Sequence, residues 1–192
     1  MNRRERKKEK TKVSIINFAV DIFREKGFHK TSMEEIAEKS DVSKGTLYNY
    51  FRDKESILVG YYQFIISKYA EDINQSFAMH NDINSQLDNL LDFINNIFKN
   101  DLEFAAIYFS YRMQSLFNKK SVDSLQRSGI ESLVMRIVKQ AQDNQELRVN
   151  IPLVIIARNF QLLYMNFFVL SIYDEENFDV DLLKSQLIEL FL

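Results

Sequence analysis

Hydrophobic side chains recur along this chain at intervals of three and four, the spacing that gathers them on one side of an α-helix. Between residues 9 and 26 the stripe is Val13, Ile16, Ala19, Val20 and Phe23. It is closed by the charged turn Arg24-Glu25-Lys26 and by Gly27, a residue suited to ending a helix. After Phe28-His29-Lys30, the run Thr31-Ser32-Met33-Glu34-Glu35 reads as a helix start. Thr31 and Glu34 have capping-box spacing, and the two carboxylates suit the positive end of the helix dipole. This second helix runs from Ser32 to about Lys39 and buries Met33, Ile36 and Ala37. Ser40-Asp41-Val42-Ser43 interrupts it. Asp41 tolerates a left-handed turn, and Ser43 is a good N-cap for a short third helix, Lys44 to Tyr50.

Asp53 caps a fourth helix with the stripe Ile57/Leu58, Tyr61/Tyr62, Ile65, Tyr69, Ile73 and Phe77. That pattern implies ~25 residues, or ~37 Å, of continuous helix. The polar stretch 80–84 forms the clearest internal joint. Beyond it lie helical patterns at 86–100, at 102–117 (Ala105/Ala106, Phe109, Met113) and at 121–144, then a helix started by Pro152 and running to about 172, then 179–192. A single proline, four glycines and 46% hydrophobic residues in 192 agree with a helical globular chain. The expected fold is therefore all-α with about nine helices.

Composition removes several function classes. There is no cysteine, so disulfides, thiolate nucleophiles and cysteine-based metal sites are excluded. The two histidines, His29 and His80, lack metal-ligand spacing. No catalytic set, metal or cofactor is expected, and the chain reads as a non-enzyme. The segment after Met1 is too charged for a secretory signal. The greasiest stretch, 151–173, is interrupted by Arg158, Asn159, Gln161 and Asn166, so it reads as a buried helix rather than a membrane crossing, and a cytoplasmic location is expected.

Charge is divided unevenly. Residues 1–54 carry 14 Lys/Arg against 9 Asp/Glu, whereas residues 55–192 carry 11 against 18. Residues 1–12, with seven basic and two acidic side chains, read as a basic tail. A basic head on an acidic body keeps phosphates at one end.

The segment 32–51 has the spacing of a helix-turn-helix, two helices of about eight residues joined by a four-residue turn. Ile36, Ala37, Val42 and Leu47 brace the second helix on the first, leaving Lys44, Gly45, Thr46, Tyr48, Asn49 and Tyr50 on its outer face. Such a helix can enter a major groove. Gly45 allows close backbone approach, Asn49 can pair bidentately with adenine, and Lys44 can reach guanine.

Three stretches resemble the DNA-binding domain of TetR-family transcriptional regulators: Thr31-Ser32-Met33-Glu34-Glu35-Ile36-Ala37, Asp41 to Phe51, and Asp53-Lys54-Glu55 with Leu58. Ala19, Phe23, Gly27 and Phe28 agree with that family's first helix, and the likeness covers roughly residues 9–69. Asp41 departs from the family's usual turn glycine. The resemblance implies a helix-turn-helix domain over 9–55, joined by the long fourth helix to an effector-binding and dimerisation domain over 56–192. It implies Thr31 and Ser32 near a phosphate, Ser43, Lys44, Gly45 and Thr46 at the leading edge of the recognition helix, and Tyr48, Asn49 and Tyr50 shared between phosphates and bases. It also implies that Lys54 holds a phosphate.

The helix 152–172 is apolar nearly all round, so one side can face its own domain and another a second copy. Together with 179–192 it forms the expected homodimer interface. Phe104, Tyr108, Tyr111, Arg112, Phe117, Arg158, Asn159 and Tyr164 are candidates for an effector pocket, an apolar site with a few polar groups. The reading is a repressor that binds a palindromic operator in double-stranded DNA as a homodimer and is released by a small, largely apolar or aromatic effector. The alternative is an architectural or protein-binding factor of the same fold that uses DNA as a tether.

Overall fold

The three-four spacing of apolar residues becomes a series of helices in the computed structural model, which describes residues 2–79, 82–116, 129–147, 152–173 and 180–191. Those residues contain nine helices and no strand: α1 (Arg3–Lys26), α2 (Met33–Lys39), α3 (Lys44–Tyr50), α4 (Lys54–Met79), α5 (Ile83–Lys99), α6 (Leu102–Leu116), α7 (Gly129–Asp143), α8 (Leu153–Tyr173) and α9 (Val180–Phe191). Two compact units result, Met1–Ile65 with Glu103–Phe117, and Ile66–Leu102 with Asn118–Leu192. The boundary expected near residue 55 therefore falls inside the first unit, and α4 contributes residues to both.

In the first unit α1 starts at Arg3, well before residue 9. Asn2 caps it: its side-chain oxygen accepts from the Glu5 N–H at 2.9 Å, and the Glu5 carboxylate accepts from the Asn2 N–H at 2.8 Å. The basic stretch expected to be a tail is thus the opening turns of a helix. The buried face of α1 is Ile15, Ile16, Ala19, Val20, Ile22 and Phe23. Gly27 ends it at φ 88°, where a side chain would be strained. α2 is capped by Ser32 with Glu35, one residue later than the Thr31–Glu34 pairing the sequence suggests. The run Thr-Ser-Met-Glu-Glu satisfies both registers, and burial decides between them. Thr31 is 3% exposed and donates its hydroxyl to the Gly27 carbonyl at 3.0 Å.

The reason α6 joins this unit is aromatic packing. Phe104 meets Phe23 edge-on at 6.0 Å, and Tyr108 lies 4.9 Å from Tyr62 between ring centres. The buried face of α6 is Phe104, Ala105, Tyr108, Phe109 and Arg112. The expected stripe through Ala106 and Met113 is rotated by about one position, because the bulky rings displace the small Ala106 from the core side.

In the second unit, α5 and α7 bury regular leucine, isoleucine and valine stripes, among them Leu87, Leu90, Leu91, Ile94, Leu133, Val134, Ile137 and Val138. Lys184 of α9 is 6% exposed and bonds Asp88 at 2.9 Å and Asp92 at 2.7 Å on α5. Burial would lower its pKa, but the two carboxylates outweigh that and raise it. The stretch Leu153–Leu170 of α8 has a mean hydropathy of 1.6 and is long and apolar enough to cross a bilayer by length and composition. Here it packs on α7 and α9, buries Gln161, and turns Arg158 toward Glu131 at 3.9 Å. It buries Ile156, Ala157, Phe160, Tyr164, Met165, Phe167 and Phe168, and leaves Ile155, Leu162, Val169 and Leu170 exposed. The part of the expected 121–144 helix before residue 129, and Phe117, lie outside the described residues.

Candidate nucleic-acid interface

The turn between α2 and α3 is built from backbone hydrogen bonds around one left-handed residue. Asp41 adopts φ 52°. The Asp41 N–H donates to Glu38 O at 3.1 Å and the Val42 N–H to Ala37 O at 3.0 Å, which is the Schellman arrangement for ending a helix. The chain then turns directly into the next N-cap. The Ser43 hydroxyl accepts from the Thr46 N–H at 3.1 Å and shares a hydrogen bond with the Thr46 hydroxyl at 2.8 Å.

One residue anchors α3. Leu47 is fully buried, joined by Phe51 just past the helix end, while Ile36 and Ala37 form the facing wall on α2. A seven-residue helix held through a single inward side chain presents the rest outward. Ser43, Lys44, Gly45, Tyr48 and Asn49 are exposed, and Thr46 and Tyr50 half-buried. Tyr48 is 50% exposed, so it does not wedge the core. A methyl group built on Gly45 would meet only the Ser43 hydroxyl, at 4.0 Å, so packing within the chain does not require a glycine there. Close approach by an outside partner does give glycine a use.

Lys44 lies 3.2 Å from Glu34, both exposed. The Glu34 backbone N–H, and then the Lys44 ammonium, hold the Glu34 carboxyl below its ordinary pKa. An exposed pair of this kind is weak and screened by salt, so a phosphate or base edge can replace it. Sequence reasoning missed this pairing, although the acidic first turn of α2 was its visible signal.

The other three expected DNA contacts have different places. Thr31 is buried, as described above. The Ser32 hydroxyl serves the α2 cap, accepting from the Glu35 N–H at 3.2 Å and donating to the Glu35 carboxylate at 3.1 Å. Lys54 turns inward: its ammonium donates to the carbonyls of Phe28 and Thr31 at 2.7 Å each and sits 4.7 Å from the centre of the Phe28 ring. Lys26 of α1 clasps Glu35 at 2.6 Å, and this bond, with those from Ser32, holds the Glu35 carboxyl at a pKa of about 2. Arg24 donates to the Tyr61 hydroxyl at 3.0 Å, tying α1 to α4. Of the expected contact residues, Ser43, Lys44, Gly45, Tyr48 and Asn49 are thus exposed, Thr46 and Tyr50 are half-buried, and Thr31, Ser32 and Lys54 are engaged by their own chain.

The effector candidates are divided between the two units. Phe104, Tyr108, Tyr111 and Arg112 lie on α6 in the first unit, where Arg52 donates to the Tyr111 hydroxyl at 3.5 Å and burial raises the Tyr111 pKa. Arg158, Asn159 and Tyr164 lie on α8 in the second. Tyr164 is fully buried beside Phe98 and Phe167 and donates to Asn95 at 3.3 Å, whereas Asn159 is exposed. An open groove of about 640 Å³ in the second unit is lined by Asn84, Ser85, Asp88, Asp181, Lys184 and Ile188 among others, and by none of these candidates.

Residues 15–60 match the family model for bacterial regulatory proteins of the tetR family. The fatty acid metabolism regulator protein of Bacillus subtilis is 34% identical over 59 residues, which is 31% of this chain and 30% of that one. The chain therefore matches less than a third of that relative's length. An uncharacterised helix-turn-helix regulator of the same organism, YfiR, is 25% identical over 179 residues, 90% of this chain and 86% of that one. Among solved structures, FadR of Thermus thermophilus, described as a TetR-family repressor in complex with lauroyl-CoA, superposes with a TM-score of 0.80. The alignment covers 94% of this chain and 92% of that one at 20% identity, a likeness of fold.

Proposed function

We propose that this chain is a DNA-binding transcriptional regulator of the TetR type, a repressor that binds a palindromic operator as a homodimer and is released by a largely apolar effector; the match of residues 15–60 to the family model supports the reading. The outer face of α3 carries the reading: Ser43, Lys44, Gly45, Tyr48 and Asn49 stand exposed over one buried leucine, with Thr46 and Tyr50 half-buried beside it. Asn49 and Lys44 are assigned to base edges, and Ser43, Thr46, Tyr48 and Tyr50 to bases or flanking phosphates.

The exposed apolar residues of α8 support pairing of two chains. Ile155, Leu162 and Val169 repeat every seven residues, and Leu182 adds a further exposed apolar side chain on α9. A helix that is buried along one side and apolar along another has its second side available for a copy of itself. Two-fold pairing would set two α3 helices about 34–36 Å apart, one turn of duplex.

For the effector, the reading is a ligand with a long apolar portion, and acyl-CoA is the first class to test. The aromatic and aliphatic interior of the second unit and the ligand of the Thermus structure support that choice. Release requires only about 1–3 kcal/mol of differential affinity between the two states of the protein.

Selection from random duplexes with purified protein tests the reading. Enrichment of one two-fold symmetric sequence, with occupancy reduced by lauroyl-CoA, is the expected result. Unsymmetrical, broadly scattered enrichment that ignores the ligand would overturn it.

A further inference from the structure

The opening turns of α1 carry a charge pattern that the helix itself does not need. Residues 3–10 are all exposed and helical. At 100° per residue, Arg3, Arg6, Lys7 and Lys10 fall on one face, opposite Ile16, Ala19 and Phe23 of the buried stripe. The two acidic residues lie away from that face. Glu5 is engaged by the Asn2 cap, and Glu9 follows one turn later on the same side. The basic face therefore has no carboxylate interleaved, and it points away from the core of the unit that carries α3.

Locally this arrangement is unfavourable. Arg3 and Lys7, and Arg6 and Lys10, are like-charged neighbours one turn apart. Arg3 and Arg6 also sit in the first turn, at the positive end of the helix dipole, where basic side chains are disfavoured. A polyanion lying along the face turns both penalties into attraction. From Arg3 to Lys10 the helix rises about 11 Å, a length over which duplex DNA presents roughly six phosphates.

We propose that this face of α1 is a second DNA-contact surface that docks on the phosphate backbone flanking the bases read by α3, through Arg3, Arg6, Lys7 and Lys10. The proposal rests on the DNA-binding reading given above. The surface supplies affinity and salt dependence without sequence information, because phosphates are alike in every sequence. A rigid helix holds the four charges in fixed register, which a disordered basic tail would not do.

The test compares the full chain with a variant in which Arg3, Arg6, Lys7 and Lys10 are all replaced by glutamine, a helix former of similar propensity. Circular dichroism and thermal unfolding establish that the variant is folded. Affinity is then measured against salt for a selected site and for an unrelated duplex, with hydroxyl-radical footprints of the selected site. The expected result is a slope of log affinity against log salt reduced by at least about 2, at roughly 0.9 for each phosphate no longer neutralised. Affinity falls by about tenfold or more on both duplexes alike, sequence preference is kept, and protection disappears at the outer edges of the footprint. An unchanged slope and footprint in a folded variant overturn the proposal while leaving α3 as the reader. If the unmodified chain binds neither duplex, the DNA-binding reading falls and this proposal falls with it.

Discussion

Lys54 illustrates how a charged residue near a DNA-facing surface can be occupied by its own chain. Its ammonium satisfies two carbonyls of the loop between α1 and α2, and that loop leads directly into the Ser32 cap. Replacing Lys54 by methionine keeps the apolar stem over Phe28 but leaves both carbonyls without their donor. Unfolding free energy by denaturant titration should fall by about 1–3 kcal/mol, while the salt slope of DNA binding should change by less than the roughly 0.9 that one neutralised phosphate contributes. Glu35 makes a pH-dependent contribution beside it. Its folded pKa of about 2 lies below the ordinary 4.5, so the stabilisation is fully present above pH 4.5 and is lost as pH falls toward 2. The stability difference between the native chain and Glu35→Gln, followed by thermal unfolding, should therefore be largest near neutral pH and vanish near pH 2.

At the scale of elements, the sharpest local feature is the left-handed Asp41 between α2 and α3. Asp41→Gly should be neutral or stabilising, and Asp41→Ala should cost about 1 kcal/mol relative to glycine, because alanine has no side-chain hydrogen bond to offset the steric cost of positive φ. Comparing the two melting temperatures checks it. This turn was legible in the sequence, as were the Ser43 cap and the buried Leu47, because each follows from short-range chemistry. The long α4 was legible for the same reason: Asp53 starts it, receiving the Ser56 N–H at 2.8 Å, and apolar spacing carries it onward. Tertiary burial was harder to read. It set the cap at Ser32 rather than Thr31, drew α6 into the first unit through Phe104 and Tyr108, and turned Lys54 inward. The early start of α1 was hidden because a run of like charges reads as a solvated tail unless the Asn2–Glu5 cap is noticed.

For the whole molecule, the division of charge along the chain has a structural counterpart. The excess of positive residues belongs to the segment that builds α1 to α3, and the acidic excess to the rest. The short helix that carries the proposed DNA face was legible, since Ser43, Lys44, Gly45, Tyr48 and Asn49, which the fold leaves exposed, lie close together in sequence. An effector pocket is harder to read from sequence, because aromatic residues suited to a pocket serve equally well in a packed core, as Tyr164 beside Phe98 and Phe167 does. The central claim is that α3 reads base sequence through its exposed face. Its most direct test is the sequence preference of purified Asn49→Ala and Lys44→Ala, measured over a library of duplexes beside the unmodified chain. Both variants should stay folded, keep weak salt-dependent binding, and lose about 1–3 kcal/mol of discrimination at one or two positions in each half-site. Folded variants with the same preference as the unmodified chain at every position would contradict the account.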